Sequence, residues 1–206
     1  MSSFDAELDR ATGLVVAQRK ELAELLGYET RNKYEIRTLT GEQVGFAAEQ
    51  QKGVLGFLAR QFLGHWRTFD ILVFDALRNL RLSAHHPFRW IFQRLEIADA
   101  TGRVLGAVQR RWSLFFKRFD VEDDRGNVLL VVSSPFWRPW TFTFERGGNP
   151  VATIRKRWSG ALKEIFTDAD NFSIELSPGP LSAVERRLLL VAALFVDLMY
   201  FEKKAN

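Results

Sequence analysis

Four clusters of cationic side chains, Arg110-Arg111, Lys117-Arg118, Arg155-Lys156-Arg157 and Arg186-Arg187, lie near Trp112, Phe115, Phe116 and Trp158. Guanidinium and ammonium groups interleaved with indoles and phenyl rings suit a surface that is both anionic and partly apolar, as a lipid headgroup layer is. The candidate contact residues are Arg110, Arg111, Arg155, Lys156, Arg157 and Trp158; the competing reading makes them ordinary outward faces of strands. Catalytic chemistry has no comparable support. His65, His85 and His86 lack the i, i+4 spacing of a zinc pair, and the chain has no cysteine to complete a metal set or serve as a nucleophile. His85-His86-Pro87 reads as a surface loop. Ser134 and Ser159 are not set between glycines as in a nucleophile elbow, and Gly147-Gly148 lacks the Lys-Ser/Thr of a phosphate loop. No enzyme is expected.

The elements that must position these cations belong to a chain of 206 residues, 47% hydrophobic, enough to bury one substantial core. Its net charge of +4 is too small for a dedicated nucleic-acid binder. The first residues lack a basic segment followed by an apolar stretch, so the expected location is intracellular, in the cytoplasm with peripheral membrane association. Residues 1–12 read as a flexible segment in which Phe4 and Leu8 are the apolar positions of a surface helix, and residues 13–206 as a single domain.

Most of the chain repeats one unit: an alternating apolar strand, a turn centred on glycine, and a second apolar strand. The copies turn at Gly41, Gly102, Gly126 and Gly147-Gly148, with a less regular one around Arg78-Asn79. Gly13 to Gln18 reads as a first strand and Lys20 to Leu26 as a short helical connection. Successive hairpins make an antiparallel meander, and closure into a barrel disposes of its two edges. Leu188 to Tyr200 is apolar on nearly every face except at Asp197, so it must be buried all round. It falls short of the ~20 residues that a bilayer span takes, so a helix threaded through the barrel fits better. Asp197 then needs a buried partner, an Arg from a strand or free backbone N–H groups near a barrel mouth. Pro135-Phe136-Trp137-Arg138-Pro139-Trp140 reads as an inter-hairpin loop, first as a lid packed over one barrel end and second as a membrane-interface anchor.

Lys156-Arg157-Trp158-Ser159-Gly160, then Phe166-Thr167-Asp168-Ala169-Asp170-Asn171-Phe172, then the apolar run with Asp197 near its end follow the order of parts in the phospholipid scramblase family. Tyr28 to Ile36 and Gly45-Phe46-Ala47-Ala48-Glu49 extend the likeness, so nearly the whole chain resembles that family. The resemblance implies a mainly β fold, a closed antiparallel tubby-like β-barrel of consecutive hairpins around a central hydrophobic C-terminal helix. It also implies phospholipid binding at an anionic membrane surface and a part in transbilayer lipid movement. The alternative is a soluble tubby-like interaction or regulatory module without membrane activity. Members that live on membranes carry Cys clusters and a Pro-rich extension, and this chain has neither.

The resemblance further points to calcium at a loop beginning with Asp168. An EF-hand loop needs oxygen ligands at its first, third, fifth and twelfth positions, which here are Asp168, Asp170, Phe172 and Gly179. Without the twelfth-position carboxylate, Asp168 and Asp170 can support only weak calcium binding, and Phe172, Ile174 and Leu176 alternate as a strand does.

Overall fold

The structure, a computed structural model, describes residues 3–19, 30–51, 68–87, 93–157, 171–177, 179 and 181–201. A helix, α1 (Ser3–Arg10), precedes the strands β1 (Gly13–Gln18), β2 (Thr30–Thr38), β3 (Gln43–Gln51), β4 (Phe69–Asp75), β5 (Leu80–His86) and β6 (Arg94–Asp99). The strands β7 (Val104–Arg111), β8 (Phe116–Asp123), β9 (Val128–Pro135), β10 (Thr141–Arg146), β11 (Asn149–Arg157) and β12 (Asn171–Leu176) follow, and then the helix α2 (Ala183–Val196). Each described strand pairs with its neighbours in sequence, and β1 pairs with β12 from Gly13↔Glu175 to Ala17↔Asn171, which closes the barrel.

Alternation decides what the barrel holds. Val16, Ile36, Ile71, Ala84, Ile97, Val121, Val132, Phe144, Ile154 and Ile174 point inward, and all are essentially inaccessible to solvent. Against them lies α2, whose residues from Leu188 through Val196 are buried on every face, so the expected central helix is present. Its first turn carries a capping box, with Ser182 accepting from the Glu185 N–H and Glu185 accepting from the Ser182 N–H. Glu185 also pairs with Arg146. Burial works against its charge, but the bonds to Ser182 and Arg146 outweigh that and hold its carboxyl below the usual range. After Val196 the helix widens into a π-helical stretch, Asp197–Phe201.

Four hairpins turn in one way. In each, the first residue's N–H donates to the carbonyl four residues on, and the fourth residue's N–H returns to the first carbonyl. Thr38, Asp75, Asp99 and Asp123 open these turns. The carboxylates of Asp75, Asp99 and Asp123 each accept two further backbone N–H bonds. The fourth position has positive φ at Gly41 (92°), Gly102 (86°) and Gly126 (84°), and also at Arg78 (66°). Arg78→Gly should therefore stabilise the protein by about 1 kcal/mol, the cost of holding a side chain in the left-handed region. Denaturant melts of the two proteins measure it; an unchanged or lowered midpoint would show that Arg78 makes up the strain elsewhere.

Residues 3–10, read from sequence as loosely held, form α1, with Phe4 and Leu8 in the core. The reason is that α1 lies across the end of the barrel where these turns gather. Asp5 pairs there with Arg81 and Arg187, and Arg186 donates to the carbonyls of Leu8 and Ala11. His85 and His86 stand in β5 and not in a loop. Their alternation sends His85 outward to Asp70, at 2.6 Å, and His86 inward onto the ring of Phe69. The segments 20–29 and 158–170, including the connection at Lys20–Leu26, lie outside the described residues.

Candidate functional site

Opposite the tight turns, β7 ends, β8 begins, β9 ends, β10 begins and β11 ends. This end of the barrel therefore gathers Arg110, Arg111, Arg155, Lys156 and the Pro135–Trp140 segment, with the end of the central helix between them. Period-two alternation then separates the cations. Arg110, Lys117 and Lys156 stand on the same strand faces as Val108, Phe119 and Ile154, which are buried, so they enter the barrel mouth. There Lys117 Nζ sits 4.3 Å from the centre of the Tyr200 ring and 5.5 Å from that of Phe142, and Lys156 Nζ is 5.2 Å from that of Trp140. Burial raises the Tyr200 phenol, against the pull of the nearby Arg110 charge.

Arg111 and Arg155 face outward. Arg111 is held by Asp120 at 2.6 Å and Glu122 at 2.9 Å, and Glu122 also binds Arg94 at 2.7 Å. The charge of Arg111 is thus largely answered within the strand face. Arg155 lies 3.6 Å from Glu175, with both side chains about half exposed, a pairing of little energetic weight. The backbone of Arg157 closes β11, while its side chain, Trp158, Asp168 and Asp170 lie outside the described residues.

Asp197 is buried and accepts from the Tyr34 hydroxyl at 2.8 Å, where a strand arginine or free backbone N–H groups were expected. Tyr34 shares the inward side of β2 with Asn32 and Ile36, all buried. Asn32 donates to Glu49 at 2.6 Å and accepts from Gln18 at 2.7 Å.

The Pro135–Trp140 segment divides. Trp140 packs against the core as a lid would, whereas Phe136 and Trp137 are 68% and 61% exposed. The neighbouring β7–β8 tip adds Trp112 (72%), Leu114 (72%) and Phe115 (64%). A ring contact joins the tips, Phe116 to Trp137 at 6.0 Å, Phe136 stacks edge-on against Trp137 at 5.0 Å within the second tip, and Lys117 Nζ donates to the Pro139 carbonyl. Residues 110–118 and 134–141 contain five cations and no carboxylate.

The family model described as Scramblase matches residues 5–203. The chain belongs to the scramblase family. It is 31% identical to phospholipid scramblase 1 of Mus musculus over 98% of this chain and 63% of that protein. It is 30% identical to phospholipid scramblase 2 of Bos taurus over 92% of this chain and 68% of that protein. A solved structure of an Arabidopsis thaliana protein aligns over 91% of both chains, with TM-score 0.49 and 14% identity. The chain thus spans about two thirds of the length of these scramblases, and no described helix is long and apolar enough to cross a membrane.

The scramblase resemblance raised calcium at Asp168. Positions four to nine of such a loop would be Asn171 to Leu176, which are β12, paired with β1 and β11 and sending Phe172 and Ile174 into the core. A segment extended in a ladder cannot wrap an ion, so these residues do not fit an EF-hand-like site. Among the described residues no group of three or more His, Asp or Glu side chains could hold a metal.

Proposed function

We propose that this scramblase-family protein binds phospholipid at an anionic membrane surface through the cationic end of its barrel, and serves lipid movement between leaflets from that peripheral position. The observation that carries this reading is the convergence of Arg110, Lys117, Arg118, Arg138, Arg155 and Lys156 at one end. No carboxylate interrupts them on the two adjoining tips. The rest of the barrel argues for a surface role: apolar residues fill its inside, and Arg118, Asp120 and Glu122 face out along β8. A membrane-spanning barrel has its apolar band outside. Family membership supports phospholipid as the anion.

Each exposed cation near such a surface contributes about 1 kcal/mol and is screened by salt. Cosedimentation with vesicles containing phosphatidylserine should be clear at low ionic strength and much weaker at physiological ionic strength. Arg155→Ala with Arg157→Ala should remove most of it while the protein stays folded. Calcium should change little. A protein that ignores anionic vesicles at low salt is instead the interaction module without membrane activity.

A further inference from the structure

We infer that the β7–β8 and β9–β10 tips form a wedge that inserts its aromatic side chains into the interfacial zone of the bilayer, so that attachment has an apolar part that salt does not screen. The inference rests on the phospholipid reading above and specifies how the surface is held. Trp112, Leu114, Phe115, Phe136 and Trp137 are each more than half exposed at the very ends of two adjacent hairpins. Elsewhere among the described residues the exposed large apolar side chains, such as Leu39, Leu77, Val104 and Val128, sit on separate turns and strand starts at the opposite end. Scattered apolar residues need no partner, whereas a contiguous patch does.

Charge chooses the occupant. Arg110, Lys117, Arg118 and Arg138 flank the tips with no carboxylate among residues 110–118 and 134–141, so a second copy would bring like charges together. An anionic bilayer offers phosphates to those cations and, a few ångströms deeper, the zone that indoles prefer. The wedge is also braced from behind. Lys117 ties β8 to the Pro139 carbonyl, and Trp140 anchors the second tip on the core, so the exposed rings project from a fixed base.

The test uses the full chain with vesicles of phosphatidylcholine and phosphatidylserine whose acyl chains carry bromine, which quenches nearby indoles. Tryptophan emission should fall on binding, and Trp112→Phe with Trp137→Phe should abolish most of that fall while leaving cosedimentation largely intact. Leu114→Ser, Phe115→Ser and Phe136→Ser together should weaken binding at least about tenfold, at low and at high salt alike, because three exposed apolar groups that the bilayer would cover are lost. These side chains face solvent, and an unchanged melting temperature shows that the triple variant is folded. Quenching as strong in the double Phe variant as in the parent, or a folded triple variant that binds like the parent, overturns the wedge but leaves the surface reading standing. Failure of the parent protein to bind low-salt anionic vesicles removes the surface reading itself.

Discussion

Leu194→Asp should yield no folded protein. Leu194 is fully buried in the last turn of α2, inside the strands that close around it. The substitution loses the burial of a leucine side chain, about 2 kcal/mol, and places an unpaired carboxylate in the core at a further cost of about 3–5 kcal/mol. Their sum is comparable to the whole stability of an ordinary domain, roughly 5–15 kcal/mol. Expression should give insoluble material, or protein without near-ultraviolet circular dichroism or a cooperative melt. Leu194→Met, which nearly conserves volume, should fold and lose less than about 1.5 kcal/mol. A Leu194→Asp protein that melts cooperatively near the parent temperature would mean that α2 does not fill the barrel.

Gly106→Ala should be the most damaging single methyl on the strands that flank the helix. A Cβ built on Gly106 would stand 2.1 Å from the Glu122 carbonyl oxygen on β8 and 3.1 Å from Leu188 Cδ1 on α2. The first contact is with backbone, so relief requires β7 and β8 to part where Gly106 faces Asp123. Overpacking of this kind costs about 3 kcal/mol. In a chain of this size that is a fall in Tm of roughly 6–12 °C, read in a thermal melt. Gly45→Ala has the same geometry, 2.1 Å from the Phe74 carbonyl oxygen, and should fall alongside it. A drop of less than a degree in both would mean that these strand pairs can part at little cost.

The barrel and its helix were legible because they depend on periods that survive in a sequence. Two-residue alternation with glycine-centred turns marks hairpins, and a run apolar on all faces has only one place to go. The same alternation separates Arg110, which enters the mouth, from Arg111, which leaves it, although the two sit side by side in a basic cluster. What did not show was partnership across the barrel. Tyr34 meets Asp197 and Asp5 meets Arg187 across most of the chain, and Arg111 finds Asp120 and Glu122 through strand register. No local spacing encodes such meetings. Phe4 and Leu8 were likewise visible as an apolar pair, but only the open end of the barrel makes them core residues. At the candidate site the cations were readable, while the split of the Pro135–Trp140 segment into one packed and two exposed aromatics depends on where β9 ends and β10 begins.

The pairing of β1 with β12 also governs how the chain can come into being. During synthesis the first strand leaves the ribosome with one edge waiting for a partner that is made only after the ten described strands between them, and the helix that fills the interior is made later still. Until both arrive, every completed hairpin presents apolar residues to water with nothing to cover them. Contacts between distant parts of a chain make folding slow, and unpaired strand edges invite association during the delay. Truncation before Ala183 should accordingly give not a filled barrel but a sheet with its apolar face uncovered, which aggregates.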